Sequence, residues 1–196
     1  MSVRCILVVS AAVVLGGCGG EKSRLANPNT SYIPSTGGAS EPETDSISYW
    51  DGDGVAGLPS VIIYLKEQRA YFYKGDQLVG VSQVSAGREG HNTPVGKYKI
   101  MQKDPDHASN LYGDYVDAAG NIVQKDVELG KDPKPPGAIF KGAPMPFFMR
   151  ITGGVGMHKG YLPGYPASHG CIRMPGKMAE SFYNNVQVGT PVQIVD

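Results

Sequence analysis

Hydrophobic positions in this chain gather into short runs with the alternation of strands. Val61-Ile62-Ile63-Tyr64-Leu65 is a dense β-branched run and Ala70-Tyr71-Phe72-Tyr73 another, and the polar stretch 66–69 between them predicts a hairpin. Lys74-Gly75-Asp76 predicts a second turn, leading into a half-exposed strand over 77–84, and residues 96–101 alternate again. A helical period appears at Met178, Phe182 and Val186, spaced i, i+4, i+8, which predicts one helix over 176–185. It stops before Val188-Gly189-Thr190, and Pro191–Val195 closes the chain as a strand. The expected fold class is therefore mostly β with a single short helix.

Two stretches lack such a pattern. Residues 103–146 are rich in Asp, Gly, Pro and Tyr with only short apolar runs, so this segment is expected to be a long irregular capping loop, of the kind used as a lid. Its His107, Tyr112 and Tyr115 receive no role from sequence. From Gly19 to Gly57 there are 7 Gly, 9 Ser or Thr and 3 Pro without apolar period, which reads as a flexible tether. Asp51-Gly52-Asp53-Gly54 within it lacks the later oxygen ligands of a calcium loop and reads as a turn.

The N-terminus has a different character. Arg4 precedes Cys5–Leu15, which is apolar apart from Ser10, too short to span a bilayer but suited to the core of a secretory signal. The stretch ends in Leu15-Gly16-Gly17-Cys18, which resembles the lipobox of bacterial lipoproteins. That resemblance implies cleavage after residue 17, acylation of Cys18, and residence in the bacterial cell envelope on the periplasmic face, at the outer membrane where the cell has one. The expected organisation is a signal peptide over 1–17, a lipidated N-terminus and tether over 18–57, and one folded domain over 58–196. Elsewhere no run of about 20 apolar residues exists.

Charge adds an exclusion. With 18 Lys plus Arg against 18 Asp plus Glu the chain is formally neutral, so nothing draws it to nucleic acid. Cysteine usage adds a pointer. Cys5 leaves with the signal and Cys18 is taken by lipid, so Cys171 is a lone thiol in an exported protein. No multi-cysteine zinc or iron–sulfur site remains in the mature chain.

Cys171 lies in a segment, 157–174, that also carries two of the four histidines, His158 and His169. A thiol becomes nucleophilic near neutral pH when an imidazolium stabilises its thiolate. Gly170 allows close backbone approach to a substrate carbonyl, and the amides of Gly170 and Cys171 are candidates for an oxyanion hole. On an extended segment His169 and Cys171 point to the same side, so from the residues alone either histidine qualifies as the base.

Ser168-His169-Gly170-Cys171-Ile172-Arg173 resembles the signature of the L,D-transpeptidase catalytic domain, the YkuD-like family, and Thr93-Pro94-Val95-Gly96 resembles that family's TP-x-G motif. The resemblance implies a β-sandwich with the nucleophile at one rim. Cys171 takes the place of the nucleophile and His158 that of the general base, its ring oriented by a backbone carbonyl placed here at Lys159. Ser168, His169, Gly170 and Arg173 are implied as supporting residues, with Arg173 holding the site or a substrate carboxylate. The implied partners are peptidoglycan stem peptides, with D-alanine expelled and a thioester left on the enzyme. A second stem peptide, a lipoprotein lysine, a D-amino acid or water then resolves it, giving crosslinking, anchoring of an acceptor lipoprotein, exchange or carboxypeptidase activity. A crosslink hydrolase using the same thiol and a non-catalytic wall-binding lipoprotein are the alternatives.

Overall fold

The computed structural model describes residues 45–196. Cys18 and the signal segment lie outside them. In chain order the strands are β1 (Tyr49–Trp50), β2 (Pro59–Tyr64), β3 (Arg69–Lys74), β4 (Gln77–Gln83), β5 (Gly96–Lys99), β6 (Gln102–Asp104), β7 (Ala108–Val116), β8 (Ile122–Glu128), β9 (Ile139–Pro144), β10 (Phe148–Thr152), β11 (Val155–Lys159), β12 (Ile172–Met174) and β13 (Pro191–Val195), with α1 (Gly176–Asn185) before the last. The mostly β class, the 61–73 hairpin, the third and fourth strands, the helix and the closing strand all stand as the sequence pattern predicts.

These strands form a six-stranded sheet in the order β1-β4-β3-β2-β13-β5, a four-stranded sheet β12-β11-β10-β6, and a three-stranded sheet β8-β7-β9. Alternation explains why the first two pack together. Val61, Ile63, Phe72, Val192 and Ile194 from the first, Met149, Ile151, Met157 and Ile172 from the second, and Met178, Ala179 and Phe182 from α1 are buried in one core. Burying each of these side chains other than Ala179 contributes about 1.5–3 kcal/mol. The period read on the helix thus faces the sheets.

Two expectations are corrected. The ordered domain starts before residue 58: Tyr49 and Trp50 pair with Val81 and Gly80 of β4. Trp50 packs edge-on to Phe72 with centroids 5.1 Å apart and tilts against Phe182 at 6.0 Å. Gly80 leaves the space that this indole fills, since a Cβ there would lie 2.7 Å from its ring. A tryptophan supplies enough apolar surface to fasten a polar segment.

The segment 103–146 is not an irregular loop. It holds the end of β6 and all of β7, β8 and β9, whose sheet buries Tyr115, Val127 and Ala138 in a small core of its own. Register shifts between Ala108 and Gly113, between Gly113 and Tyr115, and between Tyr115 and Val116 break the two-residue period that would reveal strands.

Candidate active site

The four-stranded sheet has one face in the core and one directed at the site. Met149 pairs with Met157 and Arg150 with Gly156 across β10 and β11, while Met157 pairs with Ile172 and His158 with Arg173 across β11 and β12. The methionines and Ile172 face inward, so Phe148, Arg150, Gly156, His158 and Arg173 share the opposite face. Cys171, immediately before β12, joins that face because Ile172 turns in.

His158 is buried, and its Nδ1 lies 2.7 Å from the Lys159 carbonyl oxygen. A carbonyl only accepts, so Nδ1 carries the proton and Nε2 is left as the basic nitrogen. The orienting carbonyl is the one that the resemblance implies. Burial lowers the pKa of His158 to about 4 against the favourable Lys159 bond, with smaller contributions from Arg173 and His107. The imidazole is therefore neutral near pH 7. Lys159 acts by its main chain, and its amide donates to Pro146 at 2.9 Å while its side chain is exposed.

The half-buried Cys171 thiol donates to the Gly154 carbonyl at 3.4 Å. Burial pushes its pKa up, opposed by the Gly156 amide and by Arg173 and Arg150. At neutral pH the free site accordingly holds a thiol on the chain entering β12 and a neutral imidazole on the neighbouring strand β11, in place of the thiolate–imidazolium pair expected from sequence.

The loop before Cys171 is fixed by its own polar groups. The Ser168 hydroxyl donates to the Cys171 carbonyl and accepts the Gly170 amide at 3.0 Å. The Gly170 amide is thus spent inside the turn, which removes it from the oxyanion hole suggested by sequence. Thr93, from the TP-x-G motif, donates its hydroxyl to the Gly170 carbonyl at 2.7 Å and accepts the Gly87 amide at 2.9 Å. Gly170 has φ +112, which other residues adopt only with strain.

That φ also separates the two histidines' roles. The chain is not extended at Gly170, so the rule that put His169 beside Cys171 does not apply. His169 Nε2 instead accepts from Arg88 Nη2 at 2.8 Å, its ring stacks on Tyr112 of β7 with centroids 4.2 Å apart, and His91 meets it edge-on at 4.7 Å. Burial, with Arg88 next, lowers its pKa to about 4. With Nε2 committed to a guanidinium, His169 is a wall of the site, and His158 holds the free basic nitrogen.

Arg173 ties the motif to the strand end after β4 through reciprocal main-chain bonds with Ser85, both 3.0 Å, and its stem packs where Gly160 has no side chain. Tyr112, Arg88 and Thr93 are the contributors that sequence reasoning missed. The TP-x-G motif signalled Thr93, whereas nothing around Arg88 or Tyr112 marks them. Among the described residues no cluster of His, Cys, Asp and Glu is arranged to hold a metal ion.

Comparison with known proteins shows the family and the fold. The family model for the L,D-transpeptidase catalytic domain, YkuD, matches residues 59–194. The chain is 28% identical over 144 residues to a protein of Escherichia coli K12 described as probable L,D-transpeptidase YbiS, a match that covers 69% of this chain and 44% of that protein. It therefore spans less than half the length of this curated relative. Among solved structures it is similar to an L,D-transpeptidase from Mycobacterium smegmatis, with TM-score 0.53, 18% identity and coverage of 71% of this chain and 59% of the other. It is likewise similar to an L,D-transpeptidase from Xylanimonas cellulosilytica, with TM-score 0.52, 20% identity and coverage of 72% and 62%. At these identities the structural likeness establishes the fold.

Proposed function

Because the chain belongs to the L,D-transpeptidase catalytic-domain family, matched over residues 59–194, we propose that it carries out cysteine-dependent acyl transfer on peptidoglycan stem tetrapeptides. The observation that carries this reading is the buried His158, its Nδ1 pinned to the Lys159 carbonyl, on the strand beside the thiol of Cys171.

The protonation states favour general-base attack. Cys171 Sγ bonds to the carbonyl carbon that precedes the terminal D-residue while His158 Nε2 takes the thiol proton. The C–N bond then breaks, and the proton passes from Nε2 to the departing amine of D-alanine, leaving a thioester. An incoming amine attacks the thioester, gives its proton to Nε2, and releases the thiol. Gly170 and Ser168 hold the nucleophile in place, and His169 stacks on Tyr112 of β7 beside that turn. No cofactor enters these steps.

In this reading the acceptor is an amine of a second stem peptide or of an acceptor lipoprotein, and the protein is anchored to the cell-envelope membrane by lipid on Cys18, facing the periplasm. Incubating the full chain with muropeptides and following masses tests the acceptor. A dimer joined through the donor's third residue supports crosslinking, whereas tripeptide with free D-alanine alone identifies water as the acceptor and the protein as a carboxypeptidase. Labelled fatty acid should enter the wild type and not Cys18→Ala, and equal labelling would remove the anchor from the account.

A further inference from the structure

Beside the thiol stands a cation that the reaction as written does not use. Arg150 shares the site face with His158 and sits opposite Gly156, whose amide faces the Cys171 sulfur. Three contacts fix its guanidinium. Nε donates to Gln102 Oε1 at 3.0 Å, Nη1 donates to the Gly153 carbonyl at 2.7 Å, and the group lies 5.1 Å above the Phe148 ring. The Phe148 ring is itself settled over Gly156, where a Cβ would come within 2.5 Å of it.

Every one of these partners is uncharged, and among the described residues no Asp or Glu lies within ion-pair distance of Arg150. The fixing group is also next in sequence to the thiol's own acceptor, since Gly153 holds Nη1 and Gly154 holds Sγ. A guanidinium held rigid by neutral groups next to the turn that accepts the thiol is preorganised for an anion, and its planar fork suits a carboxylate.

The other two arginines near the site are placed differently. Arg88 has Nη2 committed to His169 and Nη1 buried, closed off from solvent. Arg173, on the same face, packs its stem against Gly160 just past the end of β11, and its main chain is paired with Ser85. Only Arg150 of the three is tethered to the Gly153–Gly154 turn that touches the sulfur.

We propose that Arg150 binds the C-terminal carboxylate of the donor's departing D-residue, so that the site reads a free chain end. The inference rests on the tetrapeptide-donor reaction proposed above. That carboxylate lies one residue beyond the carbonyl attacked by Cys171, on the leaving side. A donor whose end is amidated or extended presents no charge there and leaves the fork unfilled.

The test compares two donors on the full chain: a stem tetrapeptide with a free C-terminal carboxylate and the same peptide as its C-terminal carboxamide, with kcat/KM followed by mass spectrometry of the released residue. Wild type should prefer the acid by about 10- to 100-fold, the range of a charge-assisted hydrogen bond. Arg150→Gln should bring that ratio close to one, and Arg150→Lys, which keeps the charge but not the fork, should fall between. General damage to the site lowers both rates together and leaves the ratio unchanged, so the ratio isolates recognition. Should Arg150→Gln fail to fold, the Arg150→Lys ratio decides, and an unchanged value overturns the proposal. A wild type indifferent to the carboxamide, or an Arg150→Gln protein that still prefers the acid, also overturns it while the transpeptidase reading stands. A wild type that acts on neither donor removes that reading and this inference with it.

Discussion

Acidification from pH 7 to pH 5 should cost the folded protein about 2 kcal/mol through His158 alone. The imidazole is buried and, among the described residues, its hydrogen-bond partner is the Lys159 carbonyl, which already takes the Nδ1 proton, so a second proton meets little solvent. Its pKa is about 4 in the fold against 6.5 for an ordinary histidine. Below 6.5 the unfolded chain therefore binds a proton that the native chain refuses, and stability falls with falling pH. The full difference, about 3 kcal/mol at about 1.4 kcal/mol per pKa unit, is reached once pH drops below the folded value, and roughly two-thirds of it is already lost at pH 5. The perturbation is His158→Gln, which places a neutral amide able to donate to the same carbonyl. Urea denaturation of both proteins at pH 7 and pH 5 gives four free energies. Wild type should lose about 2 kcal/mol more than the variant between the two pH values. Contributions from His169 and every other group are common to both proteins and cancel. Equal losses would show that His158 is not held neutral, and would refute its assignment as a base ready to accept the thiol proton.

Two further outcomes follow from the loop and the second histidine. Ser168→Ala should destabilise the fold by about 1–3 kcal/mol in urea, because the Gly170 amide and Cys171 carbonyl both lose a buried partner, and should slow iodoacetamide alkylation of Cys171 as the turn loosens. His158→Ala should abolish D-alanine release, whereas His169→Ala should only reduce it, because Arg88 occupies Nε2 of the latter; the reverse ranking in the same assay would move the base to His169.

The parts of the fold legible in the sequence are those with one side in the core and one in water. Val61 and Ile63, Ala70 and Phe72, and Val192 and Ile194 alternate because their neighbours face outward, and Met178 and Phe182 recur because α1 packs by one stripe. The strands β10 to β12 were not legible as strands, since their second face carries the site. Arg150, Gly156, His158 and Arg173 replace the simple polar partners that an ordinary half-exposed strand would show. The three-stranded sheet was missed for another reason: Ile122, Val123 and Ile139 are exposed apolar residues, and bulges at Gly113 and Tyr115 disturb the period. Of the site, the proposed nucleophile and its turn were readable from one continuous motif. Arg88, Tyr112 and Arg150 come from three separated segments that only the fold brings together. The different surroundings of the two histidines depend on φ at Gly170, a quantity that no alternation rule supplies.

The measurement that bears most directly on the account is the intact mass of the full chain after mixing with a stem tetrapeptide in the absence of acceptor. A covalent adduct heavier by the tetrapeptide minus D-alanine, absent in Cys171→Ala and cleared on adding an amine, is the expected result. An unmodified wild-type mass with the tetrapeptide intact, or an adduct that persists in Cys171→Ala, would contradict Cys171 as the acyl carrier.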